Sequence, residues 1–319
     1  MTSDADEGEP TILAPNDAFA TLGNEIRMEI LQTLGEADDP LSFSELRDHV
    51  GMRDSGQFNY HLDKLTGHFV EKTDAGYDLR QAGRRVVEAV LSGSVTEAPV
   101  IEPTRIDQPC QYCGAPVEVS YREEHVTVAC TECAGSYAES AGVGDRQRLG
   151  VLALPPAAVE GRSPGEVLQA AYTWGGLEVY SIACGVCPRC GASVDTSVSV
   201  CSDHDATDGL CAVCDSRYAV HFSSQCTNCI HDAIGAAGVC LTASTEFLEF
   251  VTSHGINPLA PSSLDIWGAA IGDYEENVLS TDPFEARFTF SIDDDLLTLT
   301  VDEDLTVVDV TQSPASGSS

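Results

Sequence analysis

The residues with the clearest chemistry are the thirteen cysteines, none of which lies in the first 109 residues. Most occur as CxxC pairs, a spacing at which one turn can direct both sulfurs at a single ion. The stretch CSDHDATDGLCAVC, residues 201–214, adds a histidine to three cysteines. Metal ligation, redox chemistry and disulfide formation all use such residues, and the spacing between the pairs separates these possibilities.

The first quartet places Cys110 and Cys113 ahead of Cys130 and Cys133. Between the two pairs, PVEVSY and HVTVA alternate apolar and polar residues, which predicts two strands joined at Arg-Glu-Glu. This hairpin would bring the second pair back to the first and form a four-sulfur zinc ribbon. A thioredoxin-like redox role is the competing interpretation, and two pairs at ribbon spacing disfavour it. His125 lies in the hairpin, too far from the cysteines to be a ligand.

The second cluster supplies four two-ligand units, which is enough for two further zinc ions. ASVDTSVSV and DSRYAVHFSSQ, which follow the first and third units, are each expected to run as one strand, at about 3.3 Å per residue. We therefore favour an interleaved pairing, first unit with third and second with fourth. Pairing of consecutive units, with a turn near residues 195–196, is the alternative. The units are Cys187/Cys190, Cys201/His204, Cys211/Cys214 and Cys226/Cys229.

Three residues near this cluster have other interpretations. The DHD context of His204 also fits a solvated loop residue. Cys184 lies one further CxxC step before Cys187 and could replace a neighbouring ligand. Cys240, in AAGVCLTAS, is expected to be a small buried apolar residue.

The predicted sites indicate a structural role for the metal. Cys₄ and Cys₃His sets leave no coordination position open for water, unlike catalytic zinc sites. The sequence also contains no P-loop, GxSxG, HExxH or Rossmann fingerprint. We therefore predict three structural Zn²⁺ ions and no enzymatic activity.

The charge balance is strongly negative. The 319 residues carry 51 Asp plus Glu against 16 Lys plus Arg, for a net charge of −35, and Lys64 and Lys72 are the two lysines. Dispersed carboxylates with little lysine suit a protein kept soluble in multimolar salt, where self-repulsion is screened, and resemble the proteome style of halophilic archaea. With an acidic start and no apolar run of about 20 residues, the chain is expected to be cytoplasmic, with no membrane span. A reducing cytoplasm favours metal ligation over disulfides.

The N-terminal sequence predicts a compact helical domain. NDAFATLGNEIRMEILQTLGE has helical spacing broken near Gly23, and LSFSELRDHVG adds a helix with a capping box. In SGQFNYHLDKL, Phe58, Leu62 and Leu65 form the buried stripe. FVEKTDAGYDLR alternates as a hairpin, and RQAGRRVVEAVLSG closes with another amphipathic helix.

This order, together with EIRMEILQTL, SFSELRDHVG, FNYHLDKL and the GY wing, resembles arsenic-repressor-like (ArsR) winged-helix regulators. With its zinc ribbons, the whole chain resembles ArsR-like regulators of halophilic archaea. The resemblance implies a homodimer, formed through the first and last helices of the domain, that binds double-stranded DNA and regulates transcription. The absence of cysteine before Cys110 departs from the metal-sensing branch of the family. His61 is equally well explained as a packed residue. The candidate DNA-contact residues are Ser55, Gln57, Asn59, Tyr60, His61, Lys64 and Lys72.

The predicted fold class is α+β, and a zinc-dependent adaptor that binds a protein partner is the alternative function. The zinc modules would bind a protein partner or an effector. The predicted segments are a disordered start (1–14), a winged helix-turn-helix domain (15–92), a linker (93–109), a zinc ribbon (110–139), a mixed α/β segment (140–183), a second zinc-binding cluster (184–232), an α+β region (233–312) and a disordered tail (313–319).

Overall fold

The computed structural model is of the α+β class and contains several small antiparallel sheets. The chain forms two compact units, residues 1–97 and 98–319, and each is described by itself. The division falls inside the predicted linker. The structure describes residues 13–138, 148–207, 209–259, 268 and 272–314.

The described part of the first unit contains five helices and one hairpin. In chain order these are α1 (Pro15–Leu22), α2 (Glu25–Glu36), α3 (Phe43–His49), α4 (Ser55–Leu65), β1 (Val70–Lys72), β2 (Tyr77–Leu79) and α5 (Gln81–Leu91).

Side-chain caps fix the start of three of these helices. The Asn24 side chain accepts the Arg27 N–H at 3.2 Å before α2, and Ser42 and Glu45 form the predicted capping box before α3. Asp54 accepts two N–H groups of the first turn of α4 at 2.8 and 2.9 Å. These oxygens satisfy amides that have no partner inside the helix, which stabilises each helix by about 1 kcal/mol.

The predicted apolar stripe of α4 is buried. Phe58, Leu62 and Leu65 share one core with Ile30 and Leu31 of α2, and all five are fully buried. Burying each such side chain contributes about 1.5–3 kcal/mol. The stripe also fixes the orientation of α4, because the residues on the opposite side of the helix must then face away from the core.

The described part of the second unit contains three antiparallel sheets, in the strand orders β3-β4-β5-β6, β7-β8-β9 and β10-β11-β12-β13. The elements are β3 (Ile101–Pro109), β4 (Pro116–Arg122), β5 (His125–Cys130), β6 (Arg148–Ala153), a 3-10 turn (Pro156–Ala158), α6 (Pro164–Ala183), β7 (Val194–Val200), β8 (Val220–Cys226), β9 (Asp232–Ala236), α7 (Ala237–Cys240), a 3-10 turn (Leu241–Ala243), α8 (Thr245–Ser253), β10 (Glu275–Thr281), β11 (Phe284–Ile292), β12 (Asp295–Val301) and β13 (Val307–Pro314).

Two apolar cores hold this unit together. Helix α6 covers one face of the first sheet, where Leu168 and Ala171 lie in one core with Val117 and Val119. The second core joins α8 to the third sheet and includes Val220 of β8. The second and third sheets therefore share one core.

The predicted linker and the predicted end of α6 differ from the structure. Residues 101–109 form β3, because extended residues before the first cysteine pair can add an edge strand beside β4. The sequence predicts a helix from Pro164 to about Trp174 with Ser163 as its N-cap. Helix α6 has this cap but continues to Ala183, past the Gly175-Gly176 pair. Apolar residues beyond the glycines, including buried Ile182, provide packing that outweighs the low helix propensity of glycine.

The ends of the chain also differ in part. The alternating run that begins at Phe284 predicts two or three antiparallel strands; it forms three, and β10 adds a fourth that was not predicted. Leu13 packs against the core of the first unit, and residues 313–314 belong to β13. The rest of the predicted disordered ends, 1–12 and 315–319, lies outside the described residues. In the described ranges, no helix has the length and apolar character needed to span a membrane.

Gly83 in α5 gives a test of the first unit. A Cβ at this position would overlap the Phe69 carbonyl, whereas a Cβ at Gly176, within α6, would have no atom within 4 Å. We expect Gly83→Ala to lower the free energy of unfolding by about 1–3 kcal/mol, because backbone must move. Gly176→Ala should raise it by up to about 1 kcal/mol through helix propensity alone. Denaturant unfolding at fixed salt measures both, and stabilisation by Gly83→Ala would contradict the described packing.

Candidate metal centres

Three groups of side chains in the second unit can each hold a metal ion, and within each group the ligand atoms all lie within 4.8 Å of one another. The twelve predicted ligands make up these three groups. Site 1 is Cys110, Cys113, Cys130 and Cys133; site 2 is Cys187, Cys190, Cys226 and Cys229; site 3 is Cys201, His204, Cys211 and Cys214.

The sulfur spacing fits a tetrahedral ion. Cys110 and Cys133 have Sγ atoms 3.6 Å apart, and those of Cys113 and Cys130 are 3.5 Å apart. In site 2 the corresponding distances are 3.7 and 3.5 Å. A tetrahedron with metal–sulfur bonds of about 2.3 Å has edges of about 3.8 Å. Both four-cysteine sets thus have the size that such an ion requires.

One loop conformation, which we call the knuckle, recurs at all three sites. At Cys110 the N–H donates to the Ala115 carbonyl at 2.7 Å, and the carbonyl accepts the Gly114 N–H at 2.9 Å. The same two hydrogen bonds recur at Cys187 and at Cys211. The residue after the second cysteine of each knuckle has positive φ (73°, 75° and 53°). Glycine takes this conformation at the first two, as its lack of Cβ favours, and aspartate takes it at the third.

Backbone amides stabilise the thiolates. The Sγ of Cys226 accepts the N–H of Cys229 at 3.3 Å and of Asn228 at 3.4 Å, which lowers its pKa to about 6. Backbone N–H groups, first that of Asp205, likewise lower the pKa of Cys211 to about 6. Since the thiolate is the form that binds metal, these amides prepare the Cys211 and Cys226 sulfurs for ligation near neutral pH.

Site 1 has the predicted hairpin. Strands β4 and β5 pair antiparallel and meet at a two-residue turn, Glu123-Glu124. Their register places Cys130 opposite Val117, which returns the second pair to the first knuckle. His125 lies at the turn end and is exposed, outside the site as predicted.

The pairing in the second cluster is nested, so both the interleaved and the consecutive predictions were wrong. Strand β7 leads away from the Cys187/Cys190 pair, and β8 returns antiparallel to β7, with Val194 opposite Cys226 and Val200 opposite Val220. Between β7 and β8 the described residues form turns, bends and one isolated bridge, at Ser216. The Cys201/His204 and Cys211/Cys214 pairs therefore stay at one end of the strands, and the Cys226/Cys229 pair returns to Cys187/Cys190 at the other end.

His204 is positioned as a ligand of site 3. Its Nδ1 lies 3.4 Å from the Cys214 Sγ, and its Nε2 lies 3.1 Å from the Arg217 carbonyl oxygen. An Nε2–H donated to that carbonyl leaves the Nδ1 lone pair directed at the sulfurs, as is typical of metal-binding histidines. The role of Arg217 was missed in the sequence, since a backbone acceptor leaves no residue-type signal.

The remaining two cysteines lie outside the three sites. Cys184 is exposed at the end of α6. Cys240 is buried, and burial raises its pKa to about 12, as expected for a small apolar packing residue. None of the thirteen cysteines, all of which are described, forms a disulfide.

The candidate DNA-contact residues lie in the first unit. His61 is only 7% exposed, and burial lowers its pKa, which fits the packed interpretation. Asn59 donates to the Asp63 carboxylate at 2.7 Å, and the Lys64 ammonium lies 5.7 Å from the centre of the Tyr60 ring. The other six candidates are exposed: Ser55, Gln57, Asn59, Tyr60, Lys64 and Lys72.

Removal of the imidazole should empty site 3 alone. We expect His204→Ala to reduce the bound metal from three ions to two, because three thiolates without a fourth ligand hold a tetrahedral ion weakly. His204→Cys should keep three ions. His125→Ala, which removes an exposed histidine outside the sites, is the matched control. Native mass spectrometry counts the ions, and full stoichiometry in His204→Ala would remove this residue from the ligand set.

The nested pairing predicts which thiols are exposed together. In Cys190→Ser, alkylation followed by peptide mapping should modify Cys187, Cys226 and Cys229 rapidly, because they lose their shared ion. The three cysteines of site 3 should stay protected as in the unmodified protein. Rapid modification of Cys211 and Cys214 instead would support the interleaved pairing.

Comparison with known proteins divides the chain where the structure does. Residues 15–90 match the model described as Domain of unknown function (DUF7347), and residues 107–307 match Domain of unknown function (DUF7351). No curated protein and no solved structure matches the chain. Because the second model spans more than half of the chain and contains all three sites, the protein belongs to the family described as Domain of unknown function (DUF7351).

Proposed function

We propose that the protein is a sequence-specific DNA-binding transcriptional regulator of the ArsR-like winged-helix type, and that three structural zinc ions hold its second unit. The observation that carries this proposal is that α4 buries its apolar stripe and leaves Gln57, Asn59, Tyr60 and Lys64 exposed in a near-neutral setting. The DNA would be double-stranded, and the protein would act as a homodimer.

The order of elements supports the proposal. Helices α3 and α4 are joined by five residues, 50–54, and are followed by the β1–β2 hairpin and α5. In winged helix-turn-helix domains the second helix of the pair enters the major groove and the hairpin lies along the backbone. In this proposal α4 and the β1–β2 hairpin take those places, and α4 and β1 each carry one of the two lysines, Lys64 and Lys72.

The chemistry of the α4 surface supports recognition of bases. Exposed Gln57 and Asn59 have amides that suit adenine edges, and Lys64 can reach a guanine or a phosphate. The Asn59 amide is held by Asp63, so it must exchange this partner for a base on binding. High salt weakens phosphate contacts through counterion release, which leaves base contacts to carry more of the affinity.

The local charge also favours DNA binding by the α4 surface. Residues 53–85 carry six basic and five acidic residues, whereas the whole chain has a net charge of −35. A near-neutral region limits the repulsion of phosphates that the rest of the surface would exert.

The ligand chemistry supports zinc. Thiolate and imidazole ligands in a tetrahedral set of four are typical of structural Zn²⁺. Such an ion would supply cross-links between distant segments, and the saturated sets leave no position for a reacting water. Partner or effector binding by the zinc modules remains part of the proposal.

An adaptor that binds a protein partner is the second candidate. The observation in its favour is the charge of the first unit, in which residues 1–97 carry 19 acidic and 8 basic residues, a balance of −11. DNA-binding domains are usually basic. The two functions differ in whether the protein selects a sequence from random duplex DNA.

Selection from a random duplex pool at high salt tests the proposal. We expect enrichment of a palindromic site, and Gln57→Ala and Asn59→Ala should each relax the preference at one or two base positions by roughly 5- to 150-fold, the worth of a bidentate base contact. Gln81→Ala, which removes an exposed glutamine at the start of α5, is the matched control and should bind as the wild type. Absence of any enriched sequence would favour the adaptor.

A further inference from the structure

The segments that end sites 1 and 3 are similar in sequence. Residues 130–138 are CTECAGSYA and residues 211–219 are CAVCDSRYA. Each has a CxxC pair followed by Tyr-Ala four residues after the second cysteine. Site 2 ends differently, with CTNCIHDAI at residues 226–234.

These two similar segments pair with each other in the structure. The Arg217 N–H donates to the Ser136 carbonyl at 2.9 Å, and the Ala138 N–H donates to the Asp215 carbonyl at 2.8 Å. Ser136 and Arg217 hold equivalent places, three residues after the second cysteine of their segments. An isolated antiparallel bridge between Tyr137 and Ser216 lies between these two hydrogen bonds.

Side chains extend this contact to the knuckle of site 1, which begins at Cys110. Tyr112 lies between the two cysteines of that knuckle, and the Arg217 guanidinium lies 4.0 Å from the centre of its ring. Arg217 Nε also donates to the Gly135 carbonyl at 3.0 Å. The hydroxyls of Tyr112 and Tyr218 are 2.9 Å apart, and both donate to the Gly272 carbonyl.

The same residues hold the ligands of site 3. The Arg217 carbonyl accepts from the His204 imidazole, and the Ser216 carbonyl accepts the Cys211 N–H at 3.0 Å. Residues 215–218 therefore contact both sites, so a shift that disorders one site must disturb the other. Site 2 lies at the opposite end of β7 and β8, about 20 Å away at strand spacing.

We propose that sites 1 and 3 form one coupled metal-binding pair, in which an ion at either site orders residues 134–138 and 215–218 and thereby raises the affinity of the other, while site 2 loads independently. This inference rests on the zinc binding proposed above. Coupling of two sites through a shared ordered segment is reciprocal, and such effects are usually 5- to 150-fold in affinity.

Pulse alkylation of the full-length, zinc-loaded protein under a competing chelator tests this coupling. Cys113→Ser empties site 1 and Cys190→Ser empties site 2. Both substitutions replace the exposed second cysteine of a knuckle. We expect the cysteines of site 3 to be modified about tenfold faster in Cys113→Ser than in wild type, and at the wild-type rate in Cys190→Ser. Equal rates in the two variants would overturn the proposal.

A second pair of variants separates coupling from loss of a ligand. Tyr112→Phe combined with Arg217→Ala keeps all twelve ligands and the backbone hydrogen bonds but removes the Tyr112 hydroxyl and Arg217 guanidinium contacts. In that background Cys113→Ser should have a smaller effect on site 3 than in the wild-type background. Tyr121→Phe, which removes a buried hydroxyl bonded to the Leu154 carbonyl at 2.9 Å, is the control and should leave the coupling intact. An unchanged effect of Cys113→Ser in the double variant would exclude these side chains as the link.

If the Cys113→Ser protein fails to fold, the reciprocal variant, which empties site 3, tests the same coupling. Cys214→Ser should increase alkylation at site 1 and spare site 2, and equal increases at both would count against the proposal. A wild-type protein that binds no zinc would contradict the proposed metal sites themselves. Three bound ions with no coupling would contradict this inference alone.

Discussion

The ligands of one tetrahedral ion must converge within a few ångströms, and the antiparallel sheets of the second unit meet this requirement through their register. In the first sheet Cys130 lies opposite Val117, and in the second Cys226 lies opposite Val194. Each valine comes four residues after the second cysteine of its knuckle, Cys113 or Cys190. One register rule therefore closes both four-cysteine sites, and the position of each strand follows from its ligands.

Much of this arrangement was predictable from local patterns. The ligand types, the first hairpin, the caps of α3 and α6 and the buried stripe of α4 depend on residues close in sequence, where spacing determines geometry. The pairing of the second cluster depends on the direction in which the chain leaves β7, and the acidic sequence of residues 202–210 carries no periodic signal. The first ribbon's register, applied to Cys190 and Cys226, would have given the observed pairing.

The elements that went unpredicted share a different cause. Strand β3 and the second half of α6 have weak local propensities and form because a neighbouring surface covers them. Tertiary burial of this kind overrides propensity. The contact between residues 134–138 and 215–218 is likewise non-local, since it joins segments about 80 residues apart whose similarity extends over only a few positions.

Metal ligation and core formation are one process in the second unit. Cys110 and Cys130 are 3% and 8% exposed and lie in the same apolar core as Val117 and Leu168. A thiolate is costly to bury without a partner, so in the thiolate form these sulfurs can occupy the core only when an ion and the knuckle amides balance their charge. The first unit, which contains no cysteine, forms its core mainly from apolar side chains. The core of the second unit thus depends on metal ligation, whereas that of the first unit does not. Conditions that remove metal therefore act directly on the second unit.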